Sequence, residues 1–131
     1  MPRHIPRPDG LPPGNGYSHV TIAAGPTVYV SGQVPVTADG VLVGAGDATA
    51  QAEQVFTNLD AALRAAHCGW SDVVKLTFYL TDLADLPAVR AVRDRYLDPD
   101  RLPASSLVKV AGLVHPDFRI EIDAVASIEA G

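Results

Sequence analysis

A single cysteine, Cys68, stands in a chain of 131 residues. No internal disulfide can form from it, and such usage fits a reducing compartment. Long apolar runs are missing as well. No stretch approaches the roughly 20 residues that a membrane-spanning helix requires, and residues 1–13 lack the apolar centre of a secretory signal. Positive charge is scarce: ten Lys and Arg stand against fifteen Asp and Glu, a formal charge of −5 with no Lys/Arg cluster. Nucleic acid is therefore not an expected partner, because phosphate binding needs a basic surface. His19, His67 and His115 do not fall into ligand spacing, and the adjacent His67-Cys68 pair has no second cluster to complete a metal site. Cys68 also lacks any companion that would make it a nucleophile. These absences leave a cytoplasmic protein with no metal, no membrane and no nucleic acid.

What is present is a globular composition, with 47% hydrophobic and 19% charged residues, in a length that fits one domain. Residues 1–16 hold five prolines and three glycines and are expected to form an irregular N-terminal arm. Residues 17–131 make up the domain. Within it, 17–23 and 28–34 are rich in β-branched and aromatic residues and are split by Ala24-Gly25-Pro26, which reads as a first hairpin. Gly32 inside the second strand suggests a bulge or a close backbone approach. Asp39-Gly40 marks a tight turn, with a small further hairpin as one reading of 36–46. Asp47 is placed to cap a helix reaching about Ala66, with Val55, Leu59, Ala62, Leu63 and Ala66 on one stripe and Gly69 as its stop. Asp85 is placed to cap a second helix, with Pro87 in its first turn and Val89, Val92, Tyr96 and Leu97 on its buried stripe.

The remaining strands show a period of two. In 73–80, Val74, Leu76, Phe78 and Leu80 alternate with Val73, Lys75, Thr77 and Tyr79. In 119–125, Ile120, Ile122 and Ala124 alternate with Arg119, Glu121 and Asp123. Residues 105–110 alternate small or polar residues with apolar ones, and the loop over 112–117, with Gly112, His115 and Pro116, reads as the turn of a hairpin joining them to 119–125. The order is β-β-(β)-α-β-α-β-β. One apolar sheet face can be covered by both helices, which gives a two-layer α+β sandwich. The opposite face carries Lys75, Thr77, Tyr79, Lys109, Arg119, Glu121 and Asp123. Such a mixed-charge face is either solvated, as antiparallel sheets often are, or an interface in which charges pair between subunits.

Several segments together resemble one family. They are YSH at 17–19, VSGQVP at 30–35, the helix over 51–66, DVVKLTFYLTDL at 72–83, and LPASSLVKVAGL followed by IEIDAVA. The set, in this order and spacing over nearly the whole chain after the arm, is similar to the RidA/YjgF family of enamine/imine deaminases. The resemblance implies a chorismate-mutase-like α+β fold with two helices on one face of a mixed sheet. It also implies a homotrimeric barrel, with small-molecule sites in the clefts between subunits. Members hydrolyse enamines and imines such as 2-aminoacrylate to a keto acid and ammonia without a metal or cofactor.

By the same resemblance, Glu121 matches the glutamate that handles water and Tyr17 the tyrosine at the cleft, the two candidate catalytic residues. Ser31 and Gly32 match the pocket-lining segment, and with Ser105 and Lys109 they are the candidate substrate-binding residues. The chain departs from the pattern at one position. Deaminating members carry an arginine two residues after the proline that matches Pro103, and here that residue is Ser105, followed by Leu107 where a cysteine is common. A serine offers a hydrogen bond but no charge, so the bidentate clamp on a substrate carboxylate is lost at this position. Arg101, Lys109 and Arg119 are the substitutes that the sequence suggests, and a neutral or differently charged ligand is the other expectation. Read bottom-up, Glu121 also has a structural reading, as part of an ion-pair network with Arg119 and Asp123. Two functions follow: a cofactor-free hydrolase of a small reactive metabolite, or a trimer that binds such a metabolite without turning it over.

Overall fold

The computed structural model describes residues 2–128. Eight elements follow one another: β1 (Arg3–Ile5), β2 (Val20–Ile22), β3 (Thr27–Gln33), α1 (Ala48–Ala65), β4 (Val73–Leu80), α2 (Leu86–Arg93), β5 (Ala104–Lys109) and β6 (Ile120–Ser127). Single 3-10 turns at Trp70–Asp72 and Leu83–Asp85 lead into β4 and α2. The main sheet has the order β3-β6-β4-β5; β4 and β5 run parallel and the other pairs antiparallel. Both helices lie on one face. The expected α+β sandwich with a mixed sheet is what forms.

Local signals account for α1. Asp47 is extended and its carboxylate accepts from the Ala50 amide, satisfying one of the free N–H groups of the first turn. Val55, Phe56, Leu59 and Leu63 are fully buried, each worth about 1.5–3 kcal/mol in transfer from water. The far end closes in a Schellman arrangement, with the His67 amide donating to Arg64 O and the Cys68 amide to Leu63 O, each at 3.0 Å. His67, at φ 58°, takes the left-handed position there, so the stop expected at Gly69 comes two residues earlier. At α2 the capping also moves: Asp82 accepts from the Ala84 amide, while Asp85 makes no cap and pairs with Arg119 instead.

Strand pairing departs from the sequence reading in three places. The hairpin expected between β5 and β6 does not exist, because β4 lies between them. β4 carries Leu76, Phe78 and Leu80, all buried, and a position flanked on both sides covers that apolar row most completely. The chain therefore returns through α2 to lay β5 parallel to β4, since a parallel pair needs a crossover. The hairpin expected from 17–23 and 28–34 is also absent: β2 pairs with β1, inside the arm expected to be irregular, and β3 pairs with β6. Finally, Val73 is buried and Val74 lies outside the core cluster, the reverse of the expected alternation. A register shift between Val73 and Lys75 inverts the strand at that point.

Residues 36–46 form a tight turn with one isolated bridge, Val36 to Leu42, rather than a hairpin with strands. Phe56, Trp70 and Tyr96 make an aromatic cluster beside the core, with Phe56 and Tyr96 stacked at 5.1 Å between centroids. Trp70 Nε1 donates to Asp60, so the indole is both packed and satisfied. One buried polar side chain ties the layers together. Gln51, fully buried on α1, donates to Gly44 O and Asp117 O and accepts from the Arg119 amide, which fixes the start of β6.

Candidate active site

The candidate residues separate onto the two faces of the sheet. On the helix side, β5 pairs Ser105 with Leu76 and Leu107 with Phe78, so Ser105 and Leu107 point toward α2. There they line a cavity of about 100 Å³ together with Asn15 of the arm, Tyr17 just after it, and Arg90 and Arg93 of α2. The arm is held in place from several directions. Ser18 N donates to Pro103 O at 3.0 Å, just before β5, and His4 Nδ1 lies 2.7 Å from Leu102 O, a contact that requires the proton on Nδ1. The Tyr17 ring meets His19 edge to face, and His19 Nε2 lies 2.7 Å from Pro12 O. Tyr17 thus reaches the cavity from a braced segment.

Gly16 is required by this geometry. It sits at φ +75°, and a Cβ there would collide with the Arg93 guanidinium, which lies against its backbone. Arg93 is only 11% exposed and pairs with the open carboxylate of Asp94 at 2.9 Å. Its neighbour along the helix, Arg90, is half-buried and makes no side-chain hydrogen bond or ion pair among the described residues.

The second group occupies the open face. Glu121 stands opposite Tyr79 on β4, and its carboxylate lies over the backbone of Gly32, where a Cβ would collide with Oε2. That approach is the reason for a glycine inside β3, and the register of β3 against β6 shifts between Val30 and Gln33 to allow it. Ser31, exposed beside Gly32, borders a groove between β3 and α1. Nearby, the Tyr79 hydroxyl donates to Asp123 at 3.1 Å, and this bond, with the charge of Asp123, raises the phenol pKa. Lys75 donates to Ser106 at 2.9 Å. Glu121 itself makes no side-chain hydrogen bond or ion pair among the described residues.

Two other cations suggested by the sequence are elsewhere. Arg119 does not join the open-face charges: Nε and Nη2 grip the buried Asp85 carboxylate at 2.8 and 2.9 Å, a bond that holds its pKa above the usual range. The ion-pair network of Arg119 with Glu121 and Asp123 therefore does not form. Lys109 is opposite Leu80, in the helix-side row rather than on the outward face, and its exposed side chain is not among the cavity-lining residues. Arg101 does not line the cavity either. So the fold brings Tyr17 to Ser105 and Gly32 to Glu121, and it leaves Lys109 with neither pair. Sequence reasoning missed Arg90 and Arg93. Their signal was present, since each directly follows a buried valine of α2, Val89 and Val92, and so falls on the rim of the packed stripe.

Among the described residues no three His, Cys, Asp or Glu side chains cluster as metal ligands. No described helix is long and apolar enough to cross a membrane.

Comparison with known proteins agrees with this architecture. The family model described as endoribonuclease L-PSP matches residues 9–128. A RutC family protein of Synechocystis is 42% identical over 106 residues, covering 80% of this chain and 81% of that one. A 3-aminoacrylate deaminase, RutC, of Acinetobacter baylyi is 38% identical over 128 residues, covering 98% of this chain and all of its own length. Among solved structures, a protein of unknown function of the conserved Rid family from Yersinia pestis superposes with a TM-score of 0.87 at 34% identity, over 97% of this chain and 98% of that one. A match spanning nearly the whole chain, on the same fold, establishes that this protein belongs to the RidA/YjgF family.

Proposed function

We propose that this protein is a cytoplasmic, cofactor-free hydrolase of a small imine or enamine, with sites completed between the subunits of a homotrimer. The observation that carries the proposal is the Glu121 carboxylate, seated on Gly32 and without an ionic partner among the described residues. A carboxylate left without a cation on a half-buried sheet face can accept a hydrogen bond from water. Its pairing with Arg119 would have favoured a purely structural role, and Arg119 is committed to Asp85. The deaminase name of the Acinetobacter relative, aligned over the full length, supports the same reaction class.

The chemistry is balanced and simple. Water adds to the C=N carbon as Glu121 accepts a proton from it, and the imine nitrogen gains a proton. The resulting carbinolamine expels ammonia as its hydroxyl becomes a carbonyl, so imine and water give ketone and ammonia. An enamine enters by first taking a proton at its β carbon. Backbone groups at Ser31 and Gly32 line the approach, and Tyr17 with Ser105 orient the ligand. One subunit presents Glu121 and the Tyr17-Ser105 cavity on opposite faces of one sheet. They can act on one small ligand only if the open face of one copy meets the cavity mouth of another, which is the role of the trimer in this proposal. Imino acids generated in situ by an amino-acid oxidase, with semicarbazide trapping as the readout, test it: turnover above background should vanish in Glu121→Gln.

Ser105 favours a second reading. A serine where deaminating members carry arginine suits a trimer that holds a metabolite without hydrolysing it. Absence of turnover on every imine tried, with retained ligand binding, would select that reading.

A further inference from the structure

We infer that the cation for the substrate carboxylate has moved from the strand to the helix: Arg90, supported by Arg93, is the anion clamp of the Tyr17-Ser105 cavity. The inference deepens the proposed function and rests on it for the identity of the ligand as an imino or oxo acid. Ser105 leaves the cavity without charge on the β5 side. On the α2 side, directly across the same cavity, are two guanidinium groups three residues apart on the last turn of the helix.

Their surroundings differ in a way that assigns their roles. Arg93 is nearly buried, packed against Gly16 and neutralised by Asp94, so it is held in a fixed position. Arg90 has no partner among the described residues, although it is half-buried in a wall shared with the apolar side chains of Val89, Phe78 and Leu107. A guanidinium withdrawn from water beside apolar groups gains most from an anion that it can grip through two N–H groups. The Tyr17 and Ser105 hydroxyls complete the set with neutral donors. The cavity is small, about 100 Å³, which limits the occupant to a few heavy atoms. A short 2-oxo or 2-imino acid fits this description, and a polynucleotide does not. The ligand class is therefore anionic, contrary to the neutral ligand that Ser105 alone suggests.

The test is equilibrium binding, which is read independently of turnover. Calorimetric titration of the full-length protein with 2-oxobutanoate and with its primary amide separates the carboxylate contribution from shape. Wild type should prefer the acid, and Arg90→Met, which keeps an apolar stem of similar reach, should lose at least about tenfold in affinity for the acid while the amide is unaffected. Arg90→Lys should recover part of the loss, because it restores charge without the fork. Thermal melts of the variants guard against loss of fold, and Arg95, exposed just past the end of α2 and paired with Glu53 outside the cavity, makes Arg95→Met the control for loss of an arginine elsewhere. Equal binding of acid and amide by wild type, failure of wild type to bind either, or unchanged acid binding in a folded Arg90→Met would overturn the inference. Acid-selective binding without any imine turnover would instead leave the clamp standing and remove the hydrolase reading.

Discussion

The two faces of the main sheet differ in what they need. The helix-covered face is closed within one chain: Leu76, Phe78, Leu80, Ile120 and Ile122 meet α1 and α2, and the buried carboxylate of Asp85 beside it is held by Arg119. The open face is unfinished. Tyr29 is 80% exposed and Val108 is uncovered, while Glu121 stands over Gly32 with no ionic partner among the described residues. One face buries the core and makes the fold; the other holds Glu121 without an ionic partner among the described residues. The core that stabilises the fold and the Glu121 carboxylate thus lie on opposite sides of the same four strands, while the Tyr17-Ser105 cavity opens on the helix-covered side.

Substitutions should respect that division, and those that do not would break it. The largest effect is expected for Glu121→Gln, which removes the proposed base but keeps the shape. Turnover should fall about 10²–10⁴-fold while the melting temperature hardly moves. On the covered face the pattern inverts: Leu59→Ala should cost about 2–5 kcal/mol in denaturant unfolding, with turnover per folded molecule preserved. Asp85→Asn belongs to the same side. It leaves the half-buried Arg119 with only the more distant Asp82 carboxylate, at 3.9 Å, and an unfolding loss of about 1–3 kcal/mol is expected once solvent screening is allowed for.

The smallest effects concern the end of α1. His67→Gly should raise stability by about 0.5–1 kcal/mol, because glycine takes the left-handed position without a Cβ clash. Cys68, beside it, is desolvated and lies near Asp72, and both raise its pKa above the ordinary 9.0. A raised thiol pKa means that the protonated form is favoured by folding. That contribution is fully present below pH 9 and fades as the pH rises through the folded value. Iodoacetamide should therefore modify the native chain slowly at neutral pH and rapidly once it is denatured.

Legibility in the sequence followed the range of the interaction. The Asp47 cap, the α1 stripe and the alternation of Leu76, Phe78 and Leu80 are set by neighbours a few residues away, and they were readable. The order of strands was not, since nothing local states that β4 inserts between β5 and β6. Val73 and Val74 exchange faces because of one shifted register, which the composition of the strand cannot show. Family resemblance assigned Tyr17, Gly32, Ser105 and Glu121 to one site, and the fold divides those four residues between two faces, Tyr17 with Ser105 and Gly32 with Glu121. Arg90 and Arg93 look like any polar helix rim until the arm is folded over them. Gln51 was hidden for the same reason, two of its three partners, Asp117 and Arg119, lying far away in the chain.

The proposed reaction depends above all on a site shared between subunits, and subunit mixing tests it most directly. Glu121→Gln impairs the open face and Arg90→Met the cavity, and each alone should form a trimer with sharply reduced imine hydrolysis at low substrate concentration. Co-expressed with different tags and purified as mixed trimers, the two variants should regain imine hydrolysis, because some clefts then combine an intact open face with an intact cavity. Mixed trimers of proven composition that remain no more active than their parents would contradict it.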